Sequence, residues 1–353
     1  MSIFGYVLRT VAWRILAASL IMLAILQMLD LLEITPQIVA RGLGPGGMAY
    51  YSLLRTPRLI DQAAPLGVLA GAIFAFMKLG GESQIVAIRA SGVSIYRLTT
   101  MCVPAVLVVM VLNFLAVEVV APRTDPTLQA WWNATAPAGK KPDVKPQAFR
   151  VGQDVVIATP ADVEGRALSA VKIYRRDAEG RLIERVQAAA ATYVGGGWRL
   201  TNPQFVRYLQ NGVRAGAAGQ MTWVSTFRPS DVRALFSGEP TVTAFSAARA
   251  LSGGGSERPP SYYTTHIQRS LAHPAGALVM LLLAAPVALA NFRSGQGGTF
   301  IMVALGGGLT FLVADGLLTA MGESGAISPA LAAWTAPVVF AALGATALLK
   351  LEG

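Results

Sequence analysis

Three arginines, Arg41, Arg55 and Arg58, lie close together in a stretch rich in proline and glycine. A guanidinium is planar and offers paired N–H donors, a geometry that matches phosphate oxygens. Asp30 and Glu33 stand just upstream and Asp61 just downstream. The arginines therefore have two readings: grip on an anionic headgroup, or snorkelling to lipid headgroups and pairing with Asp61 and Glu33. A second group lies at Glu82, Gln84, Ile85, Ile88, Arg89, Ser91 and Gly92. There Ile85, Ile88 and Val93 share one face at helical spacing. Asp315 is an acid inside an apolar run, about 24 Å along its helix. Such an acid is a candidate functional group, but pairing across helices or an interfacial position also fits it, and Glu118 has the same ambiguity. His273, before Pro274, reads as a helix-start residue.

Other chemistries are excluded. No G-x-x-x-x-G-K-[ST] loop is present, and Gly80-Gly81 followed by Glu82 cannot cradle a phosphate chain. The single cysteine, Cys102, rules out an internal disulfide and a cysteine metal cluster. Two histidines, His266 and His273, are too few for a His-rich metal site. No paired acids or Ser/His dyad appear at membrane depth, which argues against a membrane-embedded enzyme. No basic stripe with interleaved aromatics points to nucleic acid, and no cofactor is implied.

The elements that must carry these residues follow from composition. The chain has 353 residues, 54% of them hydrophobic and only 14% charged, with a mean hydropathy of +0.51. That is too apolar for a soluble globule. Runs of about 20 apolar residues read as membrane spans. Six are expected, over residues 15–32, 59–79, 98–120, 270–292, 299–321 and 328–349. Residues 1–14 look like an interfacial lead-in to a first span too long for a cleaved signal. Residues 35–58 read as a re-entering loop with a short amphipathic piece at 48–54. Residues 291–298 form a short Gly-rich linker. The Gly306-Gly307-Gly308 run suits close helix approach.

Between the third and fourth spans the apolar runs stop. Residues 121–262 hold 18 of the 29 Lys/Arg and 11 of the 19 Asp/Glu, so this part is a polar insert. Short alternating strands are expected at 171–174, 181–186, 192–194, 198–200, 205–209 and 220–226, with a turn at 177–180. They imply a sandwich or jelly roll, followed by a flexible exit linker at 252–260. The fold class is thus six helical spans, three plus three, around one β insert. The domains divide as 1–120 (with the amphipathic segment at about 81–97), 121–262 and 263–353.

Orientation follows from Lys and Arg in short loops. With the N-terminus inside, inner segments carry Arg9, Arg14, Lys78, Arg89, Arg97, Arg293 and Lys350, against Arg41, Arg55 and Arg58 outside. Seven against three places both termini inside and the insert outside. The net charge of +10 fits an anionic partner or membrane surface.

Several strings then resemble one family. They are Gln84-Ile85-Val86-Ala87-Ile88-Arg89-Ala90-Ser91-Gly92, Glu118-Val119-Val120-Ala121-Pro122, Val171 to Tyr174 with Asp177-Ala178-Glu179-Gly180-Arg181-Leu182, Trp198-Arg199-Leu200, and 274–286. In that order and spacing the chain resembles the YjgP/YjgQ family, the LptF and LptG permease subunits of the lipopolysaccharide-export ABC transporter. The resemblance implies a non-enzymatic permease of the bacterial inner membrane with a periplasmic jellyroll-like domain. It implies pairing with a homologous LptF-like permease and an LptB-like cytoplasmic ATPase dimer that hydrolyses ATP. Lipopolysaccharide would be extracted from the membrane and passed to LptC/LptA-like bridge proteins. By the same resemblance 82–96 is a coupling helix, with Glu82, Gln84, Ile85, Ile88, Arg89, Ser91 and Gly92 as its contacts. Asp30, Arg41, Arg55 and Arg58 would lie at the mouth of the lipid cavity. The family usually has an acid where this chain has Gln84. F-like and G-like identity both stay open, and the alternatives are a permease of another ABC lipid or lipoprotein exporter, or a membrane enzyme.

Overall fold

The computed structural model describes residues 3–81, 84–136, 146–162, 164–177, 179–209, 212–236, 242–289 and 297–352. The chain first forms α1 (Ile3–Ala40), α2 (Gly44–Gly81), α3 (Gln84–Ala90), α4 (Ile95–Leu115) and α5 (Ala121–Ala134). Strands β1 (Gln147–Val151), β2 (Asp154–Pro160), β3 (Ala167–Arg176) and β4 (Leu182–Val194) follow. Then come β5 (Gly197–Thr201), β6 (Gln204–Leu209), β7 (Gly212–Ala217) and β8 (Gln220–Val224). Two short helices, α6 (Pro229–Phe236) and α7 (Ala244–Leu251), precede α8 (Pro260–Ala284), α9 (Gly297–Glu323) and α10 (Pro329–Glu352). The chain divides into two compact units, Met1–Asp125 with Thr265–Gly353, and Pro126–Thr264.

Among the described residues of the chain, six helices are long and apolar enough to cross a membrane. α1 and α2 are 38 residues each, about 57 Å, well beyond a hydrocarbon core of about 30 Å. Residues 3–14 are therefore part of α1, not a separate lead-in. The expected re-entering loop at 35–58 does not form either. α1 runs through Pro36, where the Thr35 hydroxyl donates to Leu31 O. It stops at Gly42, whose φ of 69° lets Gly42 N bond Val39 O and Leu43 N bond Ile38 O, a Schellman ending. α2 begins at once, with Pro45 in its first turn, where a missing N–H costs nothing. The breakers thus make a tight hairpin.

That hairpin is packed through small residues. A Cβ on Gly67 would overlap Ser19, and one on Gly71 would collide with the backbone of Ile15. In the triple-glycine run of α9, only Gly308 makes a close approach, against Leu69 and Met280, while Gly306 faces open space. The core of this unit gathers Val68, Phe76, Ile95, Leu98, Met280 and Phe311. α2 and α8 are the most buried spans, while α1, α4 and α9 are largely exposed.

The third span does not end at 120. A π-helical turn at Ala116–Val120 joins α4 to α5 in one helix, Ile95–Ala134. Pro122 lacks the N–H that would bond Glu118 O. The wider turn, with Ala121 N bonded to Ala116 O, absorbs the mismatch.

The second unit is an antiparallel eight-stranded sheet, inserted between the third and fourth spans. β4 is its trunk. One edge pairs with β3, while the other pairs first with β6 and then with β5. The sheet therefore forks into β6–β7 and β5–β8 branches. The two strands expected at 181–186 and 192–194 are one, because pairing on both edges overrides the helix preference of the Ala188–Ala191 run. At the expected turn Gly180 N bonds Asp177 O, with Gly180 at φ 82°. Trp198, Trp223, Phe227 and Phe149 fill the core. The exit stretch is not a loose linker: Arg150 and Ser256 exchange both backbone bonds at 2.7 Å. β1, β2 and β7 and the helices α6 and α7 were not expected.

Gly71→Ala should cost about 1–3 kcal/mol through overpacking, since the Ile15 backbone cannot step aside. Gly306→Ala, which meets nothing within 4 Å, should leave the melting midpoint of the purified protein unchanged.

Candidate functional site

The hairpin places the three arginines differently. Arg41 follows α1 at the tip, and its N–H bonds Gln37 O and Ile38 O at 3.2 Å. Arg55 and Arg58 lie within α2, three residues apart and so on neighbouring positions of one face. Each is paired inside the chain. Arg55 Nε stands 3.3 Å from Asp30 Oδ1 on α1, and Arg58 Nε 3.3 Å from Asp125 Oδ2 on α5. Asp30 and Asp125 are largely buried, while both arginines stay half-buried. The expected acid partners, Glu33 and Asp61, are not the ones used here. A guanidinium has five donors, and the Asp30 contact occupies only Arg55 Nε.

The second expected site is α3 and the turn after it. Glu82 lies outside the described residues. Gln84 Oε1 accepts from Tyr6 Oη at 2.9 Å, tying α3 to α1. Ile85 and Ile88 are 4% and 8% exposed and belong to the chain's own core. Their apolar face packs against the chain's own helices. Arg89, Ser91 and Gly92 are exposed. Gly92, at φ 85°, ends α3 in a second Schellman motif, with Gly92 N on Arg89 O and Val93 N on Ile88 O. Ser94 then caps α4 by accepting from Arg97 N. The surface offered is thus a polar turn carrying Arg89, held rigid from beneath by two isoleucines.

A third constellation was only half legible. Asp315 on α9 is 6% exposed and meets Arg269 Nη2 at 3.1 Å and His273 Nδ1 at 3.8 Å. His273 Nε2 lies 3.1 Å from Asp61 Oδ1 on α2. His273 sits well inside α8, not at a helix start. The usable signal was the spacing of four between Arg269 and His273, which puts both on one helical face. Glu118 is half-buried in the π-helical turn.

The sequence model of the family described as lipopolysaccharide export system permease LptF/LptG matches residues 5–350. The chain belongs to that family, and it is a multi-pass membrane protein. No curated protein matches it.

Ile88→Asp should destabilise this chain by itself, because an unpaired charge would enter its own core at a cost of several kcal/mol. The expected result is a fall in yield and melting midpoint with no partner present.

Proposed function

We propose that this chain is a permease subunit that extracts lipopolysaccharide from the bacterial inner membrane and passes it toward a periplasmic bridge. The observation that carries the reading is the family match over residues 5–350 together with six spans around one β insert. In this reading ATP is hydrolysed by a cytoplasmic ATPase dimer, and a homologous permease completes the lipid path. The bridge is built from LptC/LptA-like proteins. Both termini and α3 are cytoplasmic, and the β insert is periplasmic, in line with seven inner against three outer cations in short segments. The ATPase meets the Arg89–Gly92 turn.

α1 and α9 present apolar faces, such as Leu20, Ile21 and Met28, and Met302, Leu309 and Val313. Acyl chains leaving bilayer for such walls gain little, since both environments are apolar. Selectivity then rests on the headgroup. Charge-assisted phosphate contacts are worth about 1.5–3 kcal/mol each when partly desolvated. At Arg55 and Arg58 part of that gain is offset, because the phosphate competes with Asp30 and Asp125.

A photoreactive residue at position 41 should give a lipopolysaccharide adduct. Replacing Arg41, Arg55 and Arg58 together by Ala should weaken capture of lipopolysaccharide more than of a neutral lipid, most at low salt. Absence of an adduct with normal transport by the triple variant would reduce the arginines to hairpin anchors. For orientation, Val213→Cys should react with an impermeant thiol reagent from outside the inner membrane and Ser91→Cys should not. The reverse pattern would sink the export reading.

A further inference from the structure

The contacts of Asp61, Arg269, His273 and Asp315 join helices from opposite halves of the chain. Asp61 comes from α2 in the first half, Arg269 and His273 from α8 and Asp315 from α9 in the second. The His273 imidazole is the bridge, with Asp61 Oδ1 3.1 Å from one nitrogen and Asp315 Oδ2 3.8 Å from the other. Arg269 Nη2 stands 3.1 Å from Asp315 Oδ2 and 3.4 Å from His273 Nδ1. From α4, the buried Asn113 faces Asp61. A second pair, His266 Nε2 to Glu323 Oε1 at 3.1 Å, links α8 to α9 two turns away.

The charges of the four-residue cluster do not balance without a proton. Two carboxylates face one guanidinium, so a neutral imidazole leaves one negative charge uncompensated. One proton, held by His273 between the carboxylates, makes the cluster neutral. In an apolar unit an uncompensated charge is strongly unfavourable, whereas a fully paired set is tolerated. Access differs across the cluster: the side chains of Asp315 and His273 are 8% and 19% exposed, while that of Asp61 is 35% exposed. Asp61 is the side from which a proton can reach the imidazole.

We propose that Asp61, Arg269, His273 and Asp315 form a one-proton lock between the two helical halves. With the proton on His273, the neutral cluster holds α2 against α8 and α9. When the proton leaves through Asp61, one carboxylate is uncompensated and the halves loosen. The lock is independent of which lipid the chain carries.

The test is a charge-balance cycle on the full chain in nanodiscs, read by melting midpoint from about pH 5 to about pH 10, a range that brackets the ordinary histidine value. The wild type should lose stability as pH rises. His273→Gln should be destabilised at neutral pH, because two acids then face one arginine. Adding Asp61→Asn to it should restore the midpoint, and Asp61→Asn alone should abolish the loss at high pH. Spin labels at Phe74 and Leu271, both exposed, should show a distance distribution that broadens with pH in the wild type and not in Asp61→Asn. If His273→Gln fails to fold, Asp61→Asn and the double variant still carry the test. A double variant no more stable than His273→Gln, or a high-pH loss that persists in Asp61→Asn, would overturn the lock.

Discussion

In hydrocarbon a backbone N–H or C=O without a partner is costly, so every segment that crosses must close its own hydrogen bonds. The membrane unit is built around this constraint. Its first three helical spans, 38, 38 and 40 residues long, run well beyond the hydrocarbon before they stop, and several breaks have a local remedy. Gly42 and Gly92 end helices by turning the last N–H groups back onto free carbonyls. The π-helical turn before Pro122 keeps the third span continuous through a proline that would otherwise break it. Strands, whose bonds must be found on a neighbour, are confined to the insert.

Charge obeys a related rule. In the described membrane unit, Arg55, Arg58, Arg269, His266 and His273 each meet an acid. Exposed pairs of this kind contribute about 0–1 kcal/mol, whereas breaking a buried one strands its partner and costs several times more. The pairs therefore matter less as sources of stability than as registers that fix which helix faces which. They also change the meaning of the hairpin arginines. Arg55 and Arg58 are already engaged by Asp30 and Asp125, so an anion arriving there would compete with those acids.

The α3 turn shows the same economy. Its isoleucines belong to the core beneath it, and its outer surface is short, polar and capped at both ends. Ile85 and Ile88 pack with residues of α2 and α4 in one cluster.

The number of spans, the site of the insert and the turn at 177–180 were written in local composition. Hydropathy over about 20 residues and a Gly-terminated turn are properties of a short stretch of chain, and neighbours elsewhere do not alter them. Helix ends were not legible in the same way. The breakers between 35 and 58 looked like a loop because local propensity cannot report that α1 and α2 pack against each other through Gly67 and Gly71. β4 looked like two strands because its alanine run is held only by pairing on both edges. Spacing put Ile85 and Ile88 on one face, but whether that face meets a partner or the chain's own core depends on helices distant in sequence. For the same reason Asp61, Arg269, His273 and Asp315 could be named one by one, while their meeting was decided by packing: electrostatic contact depends on separation in space, and the chain brings α2, α8 and α9 together only when folded.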